Sequence, residues 1–239
     1  MKKKIENKKP DWRKYLLYTL SAAMLTAPLF VPGMVRAAEP ESEYKKESGQ
    51  DKEESKSPVS WKFKDGVLTV SGEGEMLDYS GTEEVPWIAV RDSVRKIVIE
   101  EGITSIGKQS FSNFENLEEV VFPETLKIIG NGAFFECSSL AQVILPESVE
   151  RLGAGAFAGC RSLASFSGKG VVIFGNFVFE RTALTSFEIP EKTTKVSALT
   201  FLGTPVGEYT VQSGNTEFSA KDGVLFNADR SKLEIYPAE

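Results

Sequence analysis

Apolar residues return in one fixed order through the middle of the chain. Three stretches, Lys96–Leu117, Glu119–Leu140 and Gln142–Leu163, carry it in phase. Gly107, Gly130 and Gly153 fall 23 residues apart, as do Phe111, Phe134 and Phe157, and Leu117, Leu140 and Leu163. A fourth, looser unit places Gly175, Phe179 and Leu184 at intervals of 21 to 22, and a fifth runs through Phe187, Ile189, Val196 and Phe201 with Ser197 in place of the glycine. Self-similarity at such a period marks a repeat architecture.

Each unit opens with a short alternation: Ile97 and Ile99, Val120 and Phe122, Val143 and Leu145, each pair separated by one outward position. Period-2 alternation predicts a strand with one buried face. Pro123 and Pro146 end two of these strands, because proline has no N–H to give to a ladder. Ile106, Ile129 and Leu152 bring the chain back to the core, and the following glycine is expected to give the backbone a turn that a side chain would obstruct. The Ala-Phe-x-x-Cys segment after it predicts a helical or 3₁₀ turn beneath the strand. One unit of this size cannot cover its own apolar face, so the units must stack, with their strands in a concave parallel sheet.

The flanks differ in pattern. Trp61–Asp78 reads as a hairpin turning at Asp65-Gly66, and Trp87 is a large apolar side chain in need of burial. Before it, 38–58 holds mixed charge and no Leu, Ile or Val before Pro58, and predicts a disordered acidic linker. Before that, Lys2 to Lys14 form a basic start, Tyr15–Val31 an uncharged apolar run, and Val35-Arg36-Ala37 a small-residue exit. These are the parts of a secretory signal peptide over 1–37. The apolar run is short and interrupted by Pro28 for a membrane span. The expected organisation is therefore signal peptide 1–37, linker 38–58, N-terminal β cap 59–92, repeats 93–207 and a C-terminal β element 208–239.

Charge sharpens the functional picture. The leader takes 8 of the 28 Lys and Arg but two of the 34 acids, leaving 20 basic and 32 acidic side chains, a net −12. Such a surface repels phosphate backbones and anionic membranes, so neither nucleic acid nor direct membrane binding after signal cleavage is expected. The chain has no histidine. That removes the commonest general base and metal ligand, so neither a catalytic site, a metal site nor a cofactor is expected. The Glu-Glu pairs at Glu53, Glu83, Glu100 and Glu118 read as solvated charge, and the run from Asp222 to Arg230 lacks the dense acids of a calcium loop.

The repeat residues resemble the BspA-like leucine-rich repeats of bacterial surface proteins, whose unit runs approximately L-x-x-I-x-I-P-x-x-V-x-x-I-G-x-x-A-F-x-x-C-x-x-L. Gln142–Leu163 follows it closely and Glu119–Leu140 nearly as well. Trp61–Trp87 is similar to the β element that often precedes such repeats, and Asn215–Pro237 to an insert that often interrupts them. The first unit departs at Ser110 and Phe114, and the fourth has Ser167-Gly168 where the family has Ile-Pro. The resemblance implies a leucine-rich-repeat solenoid of α/β type, with β caps at both ends. Either Asn215–Pro237 serves as the C-terminal cap or the chain is a shortened form.

The resemblance also implies a secreted or cell-surface binding module, often an adhesin for host or matrix proteins. Its expected partner is an extracellular protein, and the chain is expected to be a monomer. On the concave face one outward row is Lys96, Glu119 and Gln142, and the next is Val98, Val121 and Ile144, three aliphatics in a polar frame. These six are the candidate binding residues. Two alternatives stand beside this reading: a structural envelope protein without an external ligand, and, more remotely, a secreted carboxylate-dependent hydrolase. Cys137 and Cys160 share one repeat position, which puts them about 5 Å apart by strand spacing and within reach of a bridge. That position faces the core, which favours two buried thiols.

Overall fold

A computed structural model of the chain describes residues 59–238. The expected signal peptide and linker lie outside the described residues. The chain forms a solenoid of about five turns with parallel sheets.

The first strands of successive turns are β2 (Val67–Gly72), β4 (Lys96–Ile99), β6 (Glu119–Val121), β8 (Gln142–Ile144), β10 (Ser165–Ser167), β12 (Ser186–Ile189) and β13 (Glu208–Val211). The second strands are β3 (Gly74–Glu75), β5 (Ile103–Ile106), β7 (Ile128–Ile129), β9 (Arg151–Leu152) and β11 (Ile173–Phe174). These second strands make one unbroken parallel sheet in the order β11-β9-β7-β5-β3. The first strands do not: they form separate ladders β2-β4-β6, β8-β10 and β12-β13. At the β10–β12 gap the rings of Phe166 and Phe187 stack at 5.9 Å, wider than the ladder spacing of about 4.8 Å.

The N-terminal block is less a separate cap than an irregular first turn. Strand β1 (Val59–Lys64) pairs antiparallel with β2 through a turn at Asp65-Gly66, both with positive φ. Strand β2 then pairs parallel with β4 and β3 with β5, as any repeat would. Trp87 is fully buried, stacks on Phe111 at 5.2 Å and donates its Nε1 hydrogen to the Ser110 carbonyl. At the other end β14 (Phe218–Lys221), β15 (Val224–Asn227) and β16 (Leu233–Ile235) make an antiparallel sheet. Phe218, Leu225 and Ile235 carry it into the core.

A side chain at the recurring glycine would be obstructed, as expected, and the obstruction comes from the backbone of the neighbouring turn. A Cβ on Gly153 would stand 2.5 Å from the Asn131 amide nitrogen, and one on Gly130 would stand 2.8 Å from the Ile106 carbonyl. The residue is small so that adjacent turns can touch through their backbones.

The segment after that glycine is also leaner than an α/β repeat implies. No α-helix occurs among the described residues; the segment is built of consecutive tight turns in the first four units and of a 3₁₀ helix, Ala198–Phe201, in the fifth. Two columns of left-handed residues shape them: Gln109, Gly132, Gly155 and Phe177 in one, and Asn113, Glu136, Gly159, Arg181 and Gly203 in the other. Between the columns, Phe111, Phe134, Phe157, Phe179 and Phe201 stack along the core at 5.3 to 6.3 Å.

Candidate functional site

The outward positions of the first strands come together as the alternation predicts. Lys96 faces Glu119 and Val98 faces Val121 across β4 and β6. Gln142 faces Ser165 and Ile144 faces Ser167 across β8 and β10. The six candidate residues therefore lie on one sheet face, interrupted between β6 and β8. Its charges are neutralised within the ladder: Lys96 Nζ stands 2.7 Å from Glu119 Oε1, and Arg95 Nη1 2.8 Å from Glu118 Oε1. Its aliphatics are not covered. Val98 is half-buried, while Val121 is 39% and Ile144 62% exposed.

Outward positions of the second strands make another row, one that the first-strand alternation alone did not reveal. In register across five strands and an isolated bridge stand Glu75, Ser105, Ile128, Arg151, Ile173 and Lys195. They line a groove of about 740 Å³ that runs the length of this sheet. None of the six candidates borders it. The sequence signal was available: each groove residue directly precedes the core residue of its second strand, as Ile128 precedes Ile129.

The two cysteines are buried and unbridged. Each thiol donates to a phenylalanine carbonyl on the preceding turn, Cys137 to Phe111 at 3.1 Å and Cys160 to Phe134 at 3.2 Å. Thr204, at the same position of a later turn, donates to Phe179 in the same way. From the second turn on the position is held by small donors, Thr182 bonding the Phe179 carbonyl of its own turn, whereas Phe114 fills it in the first. Burial pushes the Cys137 thiol well above its ordinary range, with Cys160 adding to the effect. Burial likewise raises the Tyr209 hydroxyl.

The paired glutamates are less idle than solvated charge. Glu101 accepts the backbone N–H groups of Glu124 at 2.9 Å and Thr125 at 3.2 Å, clamping one turn to the next. Glu118 and Glu119 pair with basic partners as above, and Glu84 accepts the Ser80 N–H. The Asp222-Gly223 dipeptide is the two-residue turn between β14 and β15. Hydrogen bonds from the Ser231 hydroxyl and amide hold the Asp229 carboxylate below its usual range. Among the described residues no cluster of three or more His, Cys, Asp or Glu stands ready to hold a metal ion, and no helix is long and apolar enough to cross a membrane.

Residues 90–206 match, in six copies, the family model described as BspA type leucine rich repeat region. No curated protein matches the chain in sequence. Among solved structures, the fold is similar to a leucine-rich repeat protein from Eubacterium ventriosum, at 28% identity and a TM-score of 0.67, over 77% of this chain and 49% of that one. It is also similar to the pneumococcal vaccine antigen PcpA, at 20% identity and a TM-score of 0.55, over 75% of this chain and 55% of that one. A leucine rich cell surface protein from Faecalibacterium prausnitzii gives 21% identity and a TM-score of 0.52, over 80% and 62%. At these lower identities the likeness is one of fold. The chain spans roughly half of the first two structures.

Proposed function

Because residues 90–206 of this chain belong to the BspA-type leucine-rich repeats, we propose that it is an exported, surface-exposed protein that binds another extracellular protein. The observation that carries the reading is the uncovered aliphatic strip on the first-strand face, Val98, Val121 and Ile144 in a frame of Lys96, Glu119 and Gln142. Lys96 and Glu119 of that frame are held by their ladder bond at 2.7 Å, Gln142 reaches Ser165 at 3.5 Å, and Ile144 stands 62% exposed. An apolar strip bordered by satisfied polar groups suits a protein partner, because its burial costs no unpaired charge. Repeats present such a surface on a backbone that is already ordered, which lowers the entropy lost on binding.

Export rests on the basic start, apolar run and small-residue exit over 1–37. Surface placement draws support from the family match and from the Faecalibacterium relative described as a cell surface protein. Adhesion to host or matrix proteins is the use this arrangement fits best.

The test immobilises the chain and passes over it extracts of host-matrix proteins and of bacterial surface proteins, at low and high salt. Saturable capture of a defined protein that survives high salt is the expected result, since an apolar contact is little screened. No capture by a folded sample contradicts the reading and favours an envelope component without an external ligand.

A further inference from the structure

The groove over the second sheet is bordered by three basic side chains, Lys108, Arg151 and Lys195, against two acids, Glu75 and Asp78. Arg151 and Lys195 stand on either side of Ile173 in one in-register row, and Ile128 flanks Arg151 on the other side. All four border the groove; Ile128, Arg151 and Lys195 are exposed and Ile173 is half-buried. Among the described residues neither cation forms an ion pair, and neither do nearby Lys108 and Lys127. On the first-strand face, by contrast, Arg95 and Lys96 are each neutralised by a glutamate one strand away. The acids near the groove are Glu75 and Asp78 at its N-terminal end, and Glu150 beside Arg151. Asp78 already accepts the Lys108 backbone N–H at 2.6 Å.

Accordingly, we infer that this groove is a second binding site that takes an extended, acidic segment of a protein, with carboxylates over Arg151 and Lys195 and an apolar side chain on Ile173. The inference rests on the protein-binding reading and extends it to a different face.

Spacing fixes the pattern sought. Arg151 and Lys195 are two strands apart, about 9.6 Å by ladder spacing, and a segment extended as polyproline II covers about 9.3 Å in three residues and returns side chain i+3 to the same face. An acidic residue, two spacer positions with one aliphatic, and a second acidic residue therefore match the row. Ile128 receives a further aliphatic beyond the first carboxylate. Glu75 and Asp78 set the direction, since they repel the acidic end of the segment and accept a basic one.

The alternation of aliphatic and cation along the row is what selects a peptide over a bare polyanion. Anionic polysaccharide or nucleic acid gains nothing from Ile128 and Ile173. The remaining surface, with its large excess of acids, repels a long polyanion.

The test titrates the full chain with a short labelled peptide carrying glutamates three residues apart and valines between them. The same peptide with lysine for glutamate, and dextran sulfate, serve as the other probes. Saturable binding of the glutamate peptide alone is expected, weakening with salt and falling about tenfold or more in Arg151→Glu/Lys195→Glu. That variant changes exposed side chains, and an unchanged thermal melt shows that it is folded. Ile144→Lys, on the other face, leaves the peptide affinity unchanged. Three results each overturn the assignment: no saturable binding, equal binding of the lysine peptide or dextran sulfate, or a folded charge-reversal variant that binds as before. If the peptide fails while captured protein still binds in an Ile144-dependent way, the groove assignment alone falls. If capture fails while the peptide binds, the first-strand reading falls and the groove remains.

Discussion

The rings of Phe134 and Phe157, one turn apart, stack at 5.4 Å with 3° between their planes. Both are fully buried, and each touches a ring on either side, so the ladder runs through the core from Trp87 to Phe201. A solenoid is stable through contacts between neighbouring turns, and this ladder is the most continuous of them. Phe157→Ala removes the middle rung and leaves a void that its neighbours cannot fill. The expected loss is about 3–5 kcal/mol, read from the midpoint of denaturant unfolding. A loss under about 1 kcal/mol would mean that the ring sits in a loosely packed site.

Gly153→Ala tests the close approach of turns. The new methyl would stand 2.5 Å from the Asn131 amide nitrogen, and that atom belongs to backbone that cannot move alone. The expected destabilisation is about 1–3 kcal/mol, the range for overpacking. Gly81→Ala is the control, because nothing lies within 4 Å of its added carbon and its φ is negative. Equal melting temperatures for the two variants would refute the contact.

Cys137 and Cys160 are fully buried and the Cys137 thiol is raised well above its usual value near 9. Because a reagent cannot reach a fully buried sulfur, both residues should resist alkylation in the folded chain and label at once in denaturant. The raised value also sets a pH dependence. The thiol is neutral in both states below its unfolded value, so its contribution to stability is fully present there. It declines as pH rises above that value, since the unfolded chain ionises first and the folded one holds its proton. Unfolding followed from pH 7 to 10 should show a fall that begins near pH 9 and shrinks in Cys137→Thr.

Lys96–Glu119 and Arg95–Glu118 are exposed pairs, and their part in stability should be small. A double-mutant cycle on Lys96 and Glu119 is expected to give about 0.2–1 kcal/mol, vanishing in molar salt. A larger coupling would make the ladder charges structural rather than a frame for the aliphatic strip.

The repeat was legible because the same residue types recur at Gly107, Gly130 and Gly153 and at Phe111, Phe134 and Phe157. Backbone contact and ring stacking each admit few substitutes. The left-handed columns were not legible, because one of them is occupied by Gln109, Gly132, Gly155 and Phe177, four residues with no shared chemistry. The first turn escaped for another reason. Leu68 pairs with Ile97 and Trp87 stacks on Phe111, so an insertion between them destroys the 23-residue period. The first-strand row could be drawn from alternation in units one to three. The groove row could not be drawn from that alternation, since it belongs to strands only two to four residues long, too short to show a period.

On the proposed reading the first-strand strip is a binding surface rather than part of the core. Its most direct test is to titrate the captured partner against the unmodified chain and against Val121→Lys/Ile144→Lys, with the melting temperature of both. Binding is expected to be lost while stability changes by no more than about 0.5 kcal/mol, as for surface substitutions. Unchanged affinity, or a melting temperature that collapses with the affinity, would contradict it.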